Sequence, residues 1–291
     1  MKYYNEHTIL FLDGEYVKAA DARTDLYGQS LHYGYAVFEG IRSYKMKDGT
    51  TKIFKPAEHY QRLIASAQAL NMPFSYSVEE MIEATDKVLA ANNLGDAYIR
   101  PLVYGPDNMS FNPNTISHFT IQAWQMQPFL GEKLLRVMTS SFQRPNPKGF
   151  RITAKASGHY VNSIMASHEA KAKGFDEALL TDMDGFAAEA PGANLFYEKE
   201  GKLFTPALGH ILPGITRATV IEICKDLGIE VIEKKFTTEE MYGADAAFFC
   251  GTAAEVIGFE SLDNQPFAKA WNDSVSKKIQ VAYKDLVISN K

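Results

Sequence analysis

MQPFLGEK, residues 126–133, separates two stretches of different pattern, and its reading decides the fold. Pro128 and Gly131 interrupt helical and strand periodicity alike, the punctuation expected where a chain passes from one compact body to the next. A chain of 291 residues also exceeds the usual size of a single core. Two domains are therefore expected, residues 1–125 and 134–291, joined by an interdomain loop at 126–133.

Immediately before the loop, AYIRPLVYG (97–105) and HFTIQAW (118–124) read as strands. Two helices precede them. From residue 56 to 71, Tyr60, Leu63, Ile64, Ala67 and Leu70 recur at helical spacing, with Pro56 in the first turn and Pro73 past the end. Ser77 and Glu80 then form a capping-box pattern ahead of Met81, Ile82, Val88 and Leu89. Residues 8–20 read as a hairpin around Asp13-Gly14, a pair suited to the positive torsions of a tight turn. The first domain is thus a small α/β unit. Beyond the loop, strand-like runs (134–140, 177–182, 194–199, 202–206, 229–236, 245–250) outnumber the helix-like runs at 160–173, 216–227 and 273–288. Regular parallel winding needs a helix after nearly every strand, so a mixed, barrel-like second domain is expected.

The formal charge is -5, from 30 Lys+Arg against 35 Asp+Glu, and it is spread without a basic stripe. Nucleic acid and anionic membrane are therefore not expected partners, and small-molecule chemistry is. Cys224 and Cys250 have neither metal-ligand nor disulfide-framework spacing, so no metal is expected and a reducing cytoplasm fits. The N-terminal residues do not read as a leader, and no run approaches the roughly 18 apolar residues of a membrane span. A soluble, cytoplasmic protein is the expectation.

Four segments carry candidate chemistry. In LPGITRATVIEICKDLG (212–228) a Pro-Gly turn opens a helix whose unpaired N–H groups and dipole suit an anion, although Thr216 also serves simply as a cap. In CGTAAEV (250–256) a strand runs into Gly251-Thr252-Ala253, a second group of N–H donors or merely a turn. TAKASGHY (153–160) sets Lys155 among small residues that leave room for a group attached to its amine, though most lysines are only solvated charges. Glu189 in AAEAPGANLF (187–196) is the sole charge between residues 185 and 197, either a turn residue or a buried partner for a cation.

Together, HYGYAVFEGIR (32–42), EHYQRL (58–63), AYIRPL (97–102), TAKASGHY, EAPGANLF, LPGITR and GTAAE (251–255) resemble, in order, the branched-chain aminotransferases of the class IV, or fold type IV, pyridoxal-phosphate enzymes. The resemblance runs from about residue 8 to about residue 260. It implies an α/β (α+β) fold of two domains, a smaller N-terminal α/β domain and a larger C-terminal pseudo-barrel domain, with pyridoxal 5'-phosphate in the cleft and a homodimer or higher homo-oligomer. It implies transfer of the amino group of leucine, isoleucine or valine to 2-oxoglutarate, with amino acids and 2-oxo acids as small-molecule partners. Lys155 would carry the cofactor as a Schiff base and shuttle the proton. Arg62, the amides of Ile215 and Thr216, and Thr252 would hold the phosphate, Tyr160 the phenolic oxygen and Glu189 the ring nitrogen. Tyr33, Phe38 and Tyr98 would line an apolar chamber, Arg100 and a tyrosine edge would take the distal carboxylate of glutamate, Arg42 would belong to the same substrate site, and Thr252 and Ala253 would meet the α-carboxylate.

These roles suit the chemistry. Transamination needs an electron sink at the α-carbon, a carboxylate beside the ring nitrogen keeps that sink protonated, and a desolvated lysine sheds its proton to attack. Two departures stand out. Met126 and Phe129 replace a Trp and a Tyr common in relatives, softening the pocket wall and removing a hydroxyl, and Pro191 and Ala193 alter the turn after Glu189. A D-amino-acid aminotransferase or an aminodeoxychorismate lyase is the nearest alternative. A cofactor-storing protein and a cofactor-free Schiff-base lyase are more distant ones, disfavoured by Glu189 with Tyr160 and by the paired phosphate segments respectively.

Overall fold

The computed structural model describes residues 3–126 and 133–289, so Phe129 and most of the expected interdomain loop lie outside the described residues. Asp13 and Gly14 take φ of 49° and 99°, and their turn joins β1 (Ile9–Leu12) to β2 (Glu15–Lys18) with Leu12 opposite Glu15. There follow α1 (Gln29–Tyr33), β3 (Ala36–Phe38), β4 (Ile41–Lys45), β5 (Thr51–Ile53), α2 (Pro56–Ala69), α3 (Val78–Ala91), β6 (Ala97–Tyr104) and β7 (His118–Gln125). Pro56 opens α2, where its missing N–H costs nothing, and Ser77 with Glu80 closes a complete capping box on α3. The strands make one sheet in the order β2-β1-β7-β6-β4-β5, with β3 also paired to β6.

Strand alternation divides that sheet into two faces. Ile99 and Val103 of β6 and Phe119 and Ile121 of β7 share a core with Tyr60, Leu63, Met81 and Val88 of the two helices. Fully burying side chains of this size stabilises by roughly 1.5–3 kcal/mol each. The alternate residues Tyr98 and Arg100 fall on the opposite face, where Tyr98 is paired with Arg42 on one side and Trp124 on the other.

The second unit holds β8 (Leu135–Gln143), α4 (Tyr160–Ala172), β9 (Glu177–Thr181), β10 (Ala187–Glu189), β11 (Asn194–Lys199), β12 (Lys202–Pro206), α5 (Ile215–Asp226), β13 (Val231–Lys234), β14 (Ala246–Gly251), β15 (Glu255–Leu262), β16 (Gln265–Pro266) and α6 (Val275–Val287). Short β10 pairs with both β9 and β11, which closes β8, β9, β10, β11, β14 and β15 into a ring. This is the expected barrel. β8 runs parallel to β9 and β15, and the remaining pairs within the ring are antiparallel. Leu135, Val137, Leu179, Leu195, Phe249, Ile257 and Phe259 belong to its buried core.

The two compact units are not cut at one point of the chain. Ala154–Gly158 belongs with the residues up to Met126, whereas residues 133–153 and His159–Ser289 form the second unit. Among the described residues, no helix is long and apolar enough to cross a membrane.

Candidate active site

Lys155 is fixed to the first unit through its backbone. Its carbonyl accepts the Phe38 N–H at 3.0 Å, its own N–H donates to Ser66 Oγ at 3.1 Å, and Ala156 bridges Val37. One residue in the small-residue stretch serves close backbone approach: Gly158 donates to the Gly34 carbonyl at 3.1 Å, and a Cβ on Gly34, whose φ is 66°, would come within 2.9 Å of Gly158 Cα. The Lys155 amine reaches to 5.1 Å from the centroid of the Phe38 ring.

Arg100 meets the same ring. Its Cζ lies 4.6 Å from the Phe38 centroid, 5.3 Å from Tyr98 and 6.0 Å from Trp124, and its Nη2 donates to the Tyr98 hydroxyl at 3.3 Å. Arg100 Nε is buried and makes no hydrogen bond among the described residues, leaving a donor suited to an anionic ligand. Gly40 makes room for this arrangement, because a Cβ there would sit 1.9 Å from the Tyr98 hydroxyl. Arg42 is buried opposite Tyr98, with Cζ 5.1 Å from the Tyr44 ring. Tyr33 is not brought into this group: it is 45% exposed, its hydroxyl donates to the Met109 carbonyl at 3.4 Å, and its ring lies 5.4 Å from that of Phe111.

Arg62 extends from α2 onto a residue that sequence reasoning passed over. Its Nε and Nη2 donate to Glu39 Oε1 and Oε2 at 2.7 and 2.9 Å, while His59, one turn earlier on the same helix, places Nδ1 2.7 Å from Oε2. The Glu39 side chain is wholly buried. Burial pushes its pKa up, but Arg62 and the His59 contact outweigh burial and hold the carboxyl well below the usual range. His59 moves down, chiefly through burial, which exceeds the opposing pull of Glu39; the charges of Arg62 and Lys155 act in the same direction as burial.

In the second unit Glu189 ends β10 and is buried. Its carboxylate accepts the Asn194 Nδ2–H at 2.9 Å and the Leu212 N–H at 3.1 and 3.3 Å, and Arg144 Nε stands 2.9 Å from Oε1. The Arg144 N–H is not aimed along that line, so this last contact is coulombic without being a hydrogen bond. Despite Pro191 and Ala193 the turn closes, with the Ala190 N–H donating to the Ala193 carbonyl at 2.8 Å and Glu189 opposite Asn194. Asn194 also donates to the Leu212 carbonyl at 3.0 Å, and a Cβ on Gly214 would strike its Oδ1 at 1.9 Å. The turn before α5 is therefore seated on the residue that holds Glu189. Gly214 is the N-cap of α5 and supplies no side-chain cap, so the amides of half-buried Ile215 and buried Thr216 open a helix whose first turn offers donors to an anion.

Tyr160 stands in the first position of α4, half-buried. The preceding His159 is packed against Phe150 with ring centroids 5.1 Å apart, and burial followed by the Arg144 charge brings its pKa down to about 4. Thr252 and Ala253 are half-buried in the connection from β14 to β15. Gly251 permits that connection's close approach, since a Cβ would lie 3.1 Å from the Gly192 carbonyl. Met126 is buried. One group with metal-ligating atoms, Asp182, Asp184 and His210, gathers within 4.8 Å. Its carboxylates are already occupied: Asp182 accepts the N–H groups of Asp184 and Phe186, and Asp184 pairs with Lys235.

The donor set fits a phosphorylated aldehyde cofactor. The first unit supplies an amine beside an aromatic ring; the second, by itself, supplies a buried carboxylate held by two neutral donors beside a guanidinium, and a helix start without a side-chain cap for a phosphate. Comparison with known proteins agrees. Residues 36–262 match the amino-transferase class IV family. The branched-chain-amino-acid aminotransferase of Pseudomonas aeruginosa is 40% identical over 285 residues, spanning 96% of this chain and 92% of that protein. The crystal structure of the branched-chain aminotransferase from the archaeon Thermoproteus uzoniensis with norvaline superposes with a TM-score of 0.93 at 36% identity, covering 97% of this chain and 95% of that one. The Escherichia coli branched-chain amino acid aminotransferase does so with a TM-score of 0.93 at 37% identity, over 98% and 97% of the two chains. With the matched residues running through both units, the chain belongs to the class IV amino-transferase family.

Proposed function

We propose that this protein is a pyridoxal-phosphate-dependent branched-chain-amino-acid transaminase, reversibly moving the amino group of leucine, isoleucine or valine to 2-oxoglutarate. The observation that carries this reading is the shared Phe38 ring, with the Lys155 amine 5.1 Å and the Arg100 guanidinium 4.6 Å from its centroid. An amine that reacts, an apolar wall and a carboxylate receptor are thereby grouped, as a substrate pair of one apolar and one acidic amino acid requires. Related proteins support it: a further branched-chain amino acid aminotransferase, 36% identical to this chain, has been crystallised with N-(5'-phosphopyridoxyl)-L-glutamate, and the T. uzoniensis enzyme with norvaline.

Pyridoxal phosphate supplies the electron sink for a carbanion at the amino acid's α-carbon. Lys155 carries the cofactor and moves the proton at that carbon. Glu189, fixed by the Asn194 and Leu212 donors, holds a proton on the pyridine nitrogen. Arg62, the Ile215 and Thr216 amides and Thr252 bind the phosphate, and Tyr160 orients the phenolic oxygen. Phe38 and Tyr98 receive an aliphatic side chain, Arg100 receives the distal carboxylate of glutamate, Arg42 joins the substrate site from the position paired with Tyr98, and Thr252 and Ala253 present amides to the α-carboxylate. Tyr33 joins the substrate wall only if α1 moves or is completed by another copy.

A homodimer or larger homo-oligomer is supported by exposed apolar side chains on the first unit, among them Leu26, Tyr27, Leu31, Met109 and Phe111, the last 88% exposed. Cys224 and Cys250 are both free and buried, in keeping with a cytoplasmic setting. The test is single-turnover spectroscopy of the holoenzyme with L-leucine, L-isoleucine, L-valine, L-glutamate and D-alanine. The four L-amino acids should convert the cofactor to its amine form. Conversion by D-alanine in preference to L-leucine overturns the assignment in favour of the D-amino-acid reading.

A further inference from the structure

We infer that Glu39 is a positioning residue that aims Arg62 at the cofactor's phosphate, an inference resting on the assignment of Arg62 to that phosphate. Glu39 follows directly on β3, whose last residue, Phe38, bonds the Lys155 carbonyl. Residues 38 and 39 therefore hold the reactive lysine and the phosphate anchor from adjacent positions of one strand end. The Glu39 backbone is itself tied down, its N–H donating to the Pro101 carbonyl at 2.9 Å.

The carboxylate grips one edge of the guanidinium through Nε and Nη2, at 2.7 and 2.9 Å, which fixes both the plane and the direction of Arg62. His59 Nδ1, 2.7 Å from Oε2, keeps the carboxylate from rotating, and the Gly40 N–H donates to the same oxygen at 3.2 Å. Burying an ion pair is poor value as stabilisation alone, because hydrophobic groups of similar volume usually serve as well or better. What the fork provides is orientation: a long side chain whose rotamers are frozen before the phosphate arrives loses less freedom on binding it.

The alternative has the opposite sign. With His59 neutral, Glu39 and Arg62 cancel in charge, so a Glu39 that did nothing but neutralise would weaken the hold on a phosphate dianion, and its removal would tighten it. The structure assigns Glu39 the reverse effect, in which directed N–H groups count for more than net charge.

The experiment titrates full-length protein, freed of cofactor, with pyridoxal phosphate and separately with pyridoxal, which has the aldehyde and ring but no phosphate. Bound cofactor is read by absorbance. Glu39→Gln should weaken pyridoxal phosphate by about tenfold or more while leaving pyridoxal within about twofold. Arg62→Ala should show the same selectivity, and Glu39→Gln/Arg62→Ala should be no weaker than Arg62→Ala alone, since Glu39 acts through the arginine. Arg62→Lys keeps the charge beside Glu39 but loses the fork, and should also lose phosphate selectively; it serves if Glu39→Gln does not fold. Tighter or unchanged pyridoxal phosphate binding in Glu39→Gln overturns the inference, as does an equal loss for both ligands. An unchanged affinity in Arg62→Ala instead removes the phosphate assignment on which the inference stands.

Discussion

Arg100 is held by three aromatic faces while its Nε remains without a hydrogen bond among the described residues. Stacking fixes the plane of the guanidinium, and the uncommitted donor gives it something to offer. A charge-assisted bond to a carboxylate contributes about 1.5–3 kcal/mol, so Arg100→Ala should reduce kcat/KM for glutamate and 2-oxoglutarate by roughly ten- to a hundredfold and for leucine much less. Half-reactions with leucine and glutamate check this, and equal losses would make Arg100 a scaffold residue. That Tyr98 and Arg100 share a face was legible in AYIRPL, because a period of two needs no tertiary information. Glu39 and His59 were not legible: each stands in a quoted motif, but their pairing joins a strand end to a helix about twenty residues on, and no local pattern announces such a contact. Glu189 stands out in the sequence by its isolation, whereas Arg144 and Asn194, which hold it, carry no sequence mark of that task.

Among the elements, α3 owes its start to a reciprocal pair: the Glu80 N–H donates to Ser77 Oγ at 3.2 Å and the Ser77 N–H donates to Glu80 Oε2 at 2.7 Å. Loss of such a cap costs about 1 kcal/mol, so Ser77→Ala should lower Tm by about 2–4 °C without changing KM for any substrate. Calorimetry beside steady-state kinetics will show it, and an unaltered Tm would mean that packing of Met81 and Val88 alone sets the helix start. The helices with strong start signals, α2, α3 and α5, were readable, as was the Asp13-Gly14 hairpin. β15 was not, because it follows directly on the turn-like Gly251-Thr252-Ala253; its Glu255 enters with φ of 55°, and at Gly258 a Cβ would lie 2.6 Å from the Trp271 ring. This strand stands between β8 and β14, so the barrel depends on a segment whose strand character is disguised by turn-like and small residues.

For the molecule as a whole, acid sensitivity follows from histidines that each unit buries in the neutral form, His59 in the first and His159 in the second. Both have lowered pKa values, that of His159 moving from 6.5 to about 4. The unfolded chain takes up protons at these residues below 6.5 while the folded chain refuses them, so stability is fully present above that pH and declines as pH falls toward 4. Glu169, lowered from 4.5 to about 2 by Lys173 and Ser140, adds a second loss from 4.5 downward. A Tm series from pH 8 to 4 should therefore begin to fall before the carboxylates titrate, and His159→Asn should flatten the part between 6.5 and 4. A wild-type Tm that stays constant from about pH 7.5 to about pH 5 would refute this. Ring closure was not readable, since it turns on three residues, Ala187–Glu189, pairing on both sides. Nor was the return of Ala154–Gly158 to the first unit, which no composition shift marks. That return orders events during synthesis. As the chain leaves the ribosome, the strands and helices of the first unit emerge by residue 125, yet its core lacks Ala156, and β3 lacks its bridge at Val37, until the stretch bearing Lys155 has followed. The Lys155 amine, the proposed anchor of the cofactor, is among the last pieces this half receives, so a nascent or prematurely terminated chain has a nearly finished fold but lacks the group proposed to capture an aldehyde.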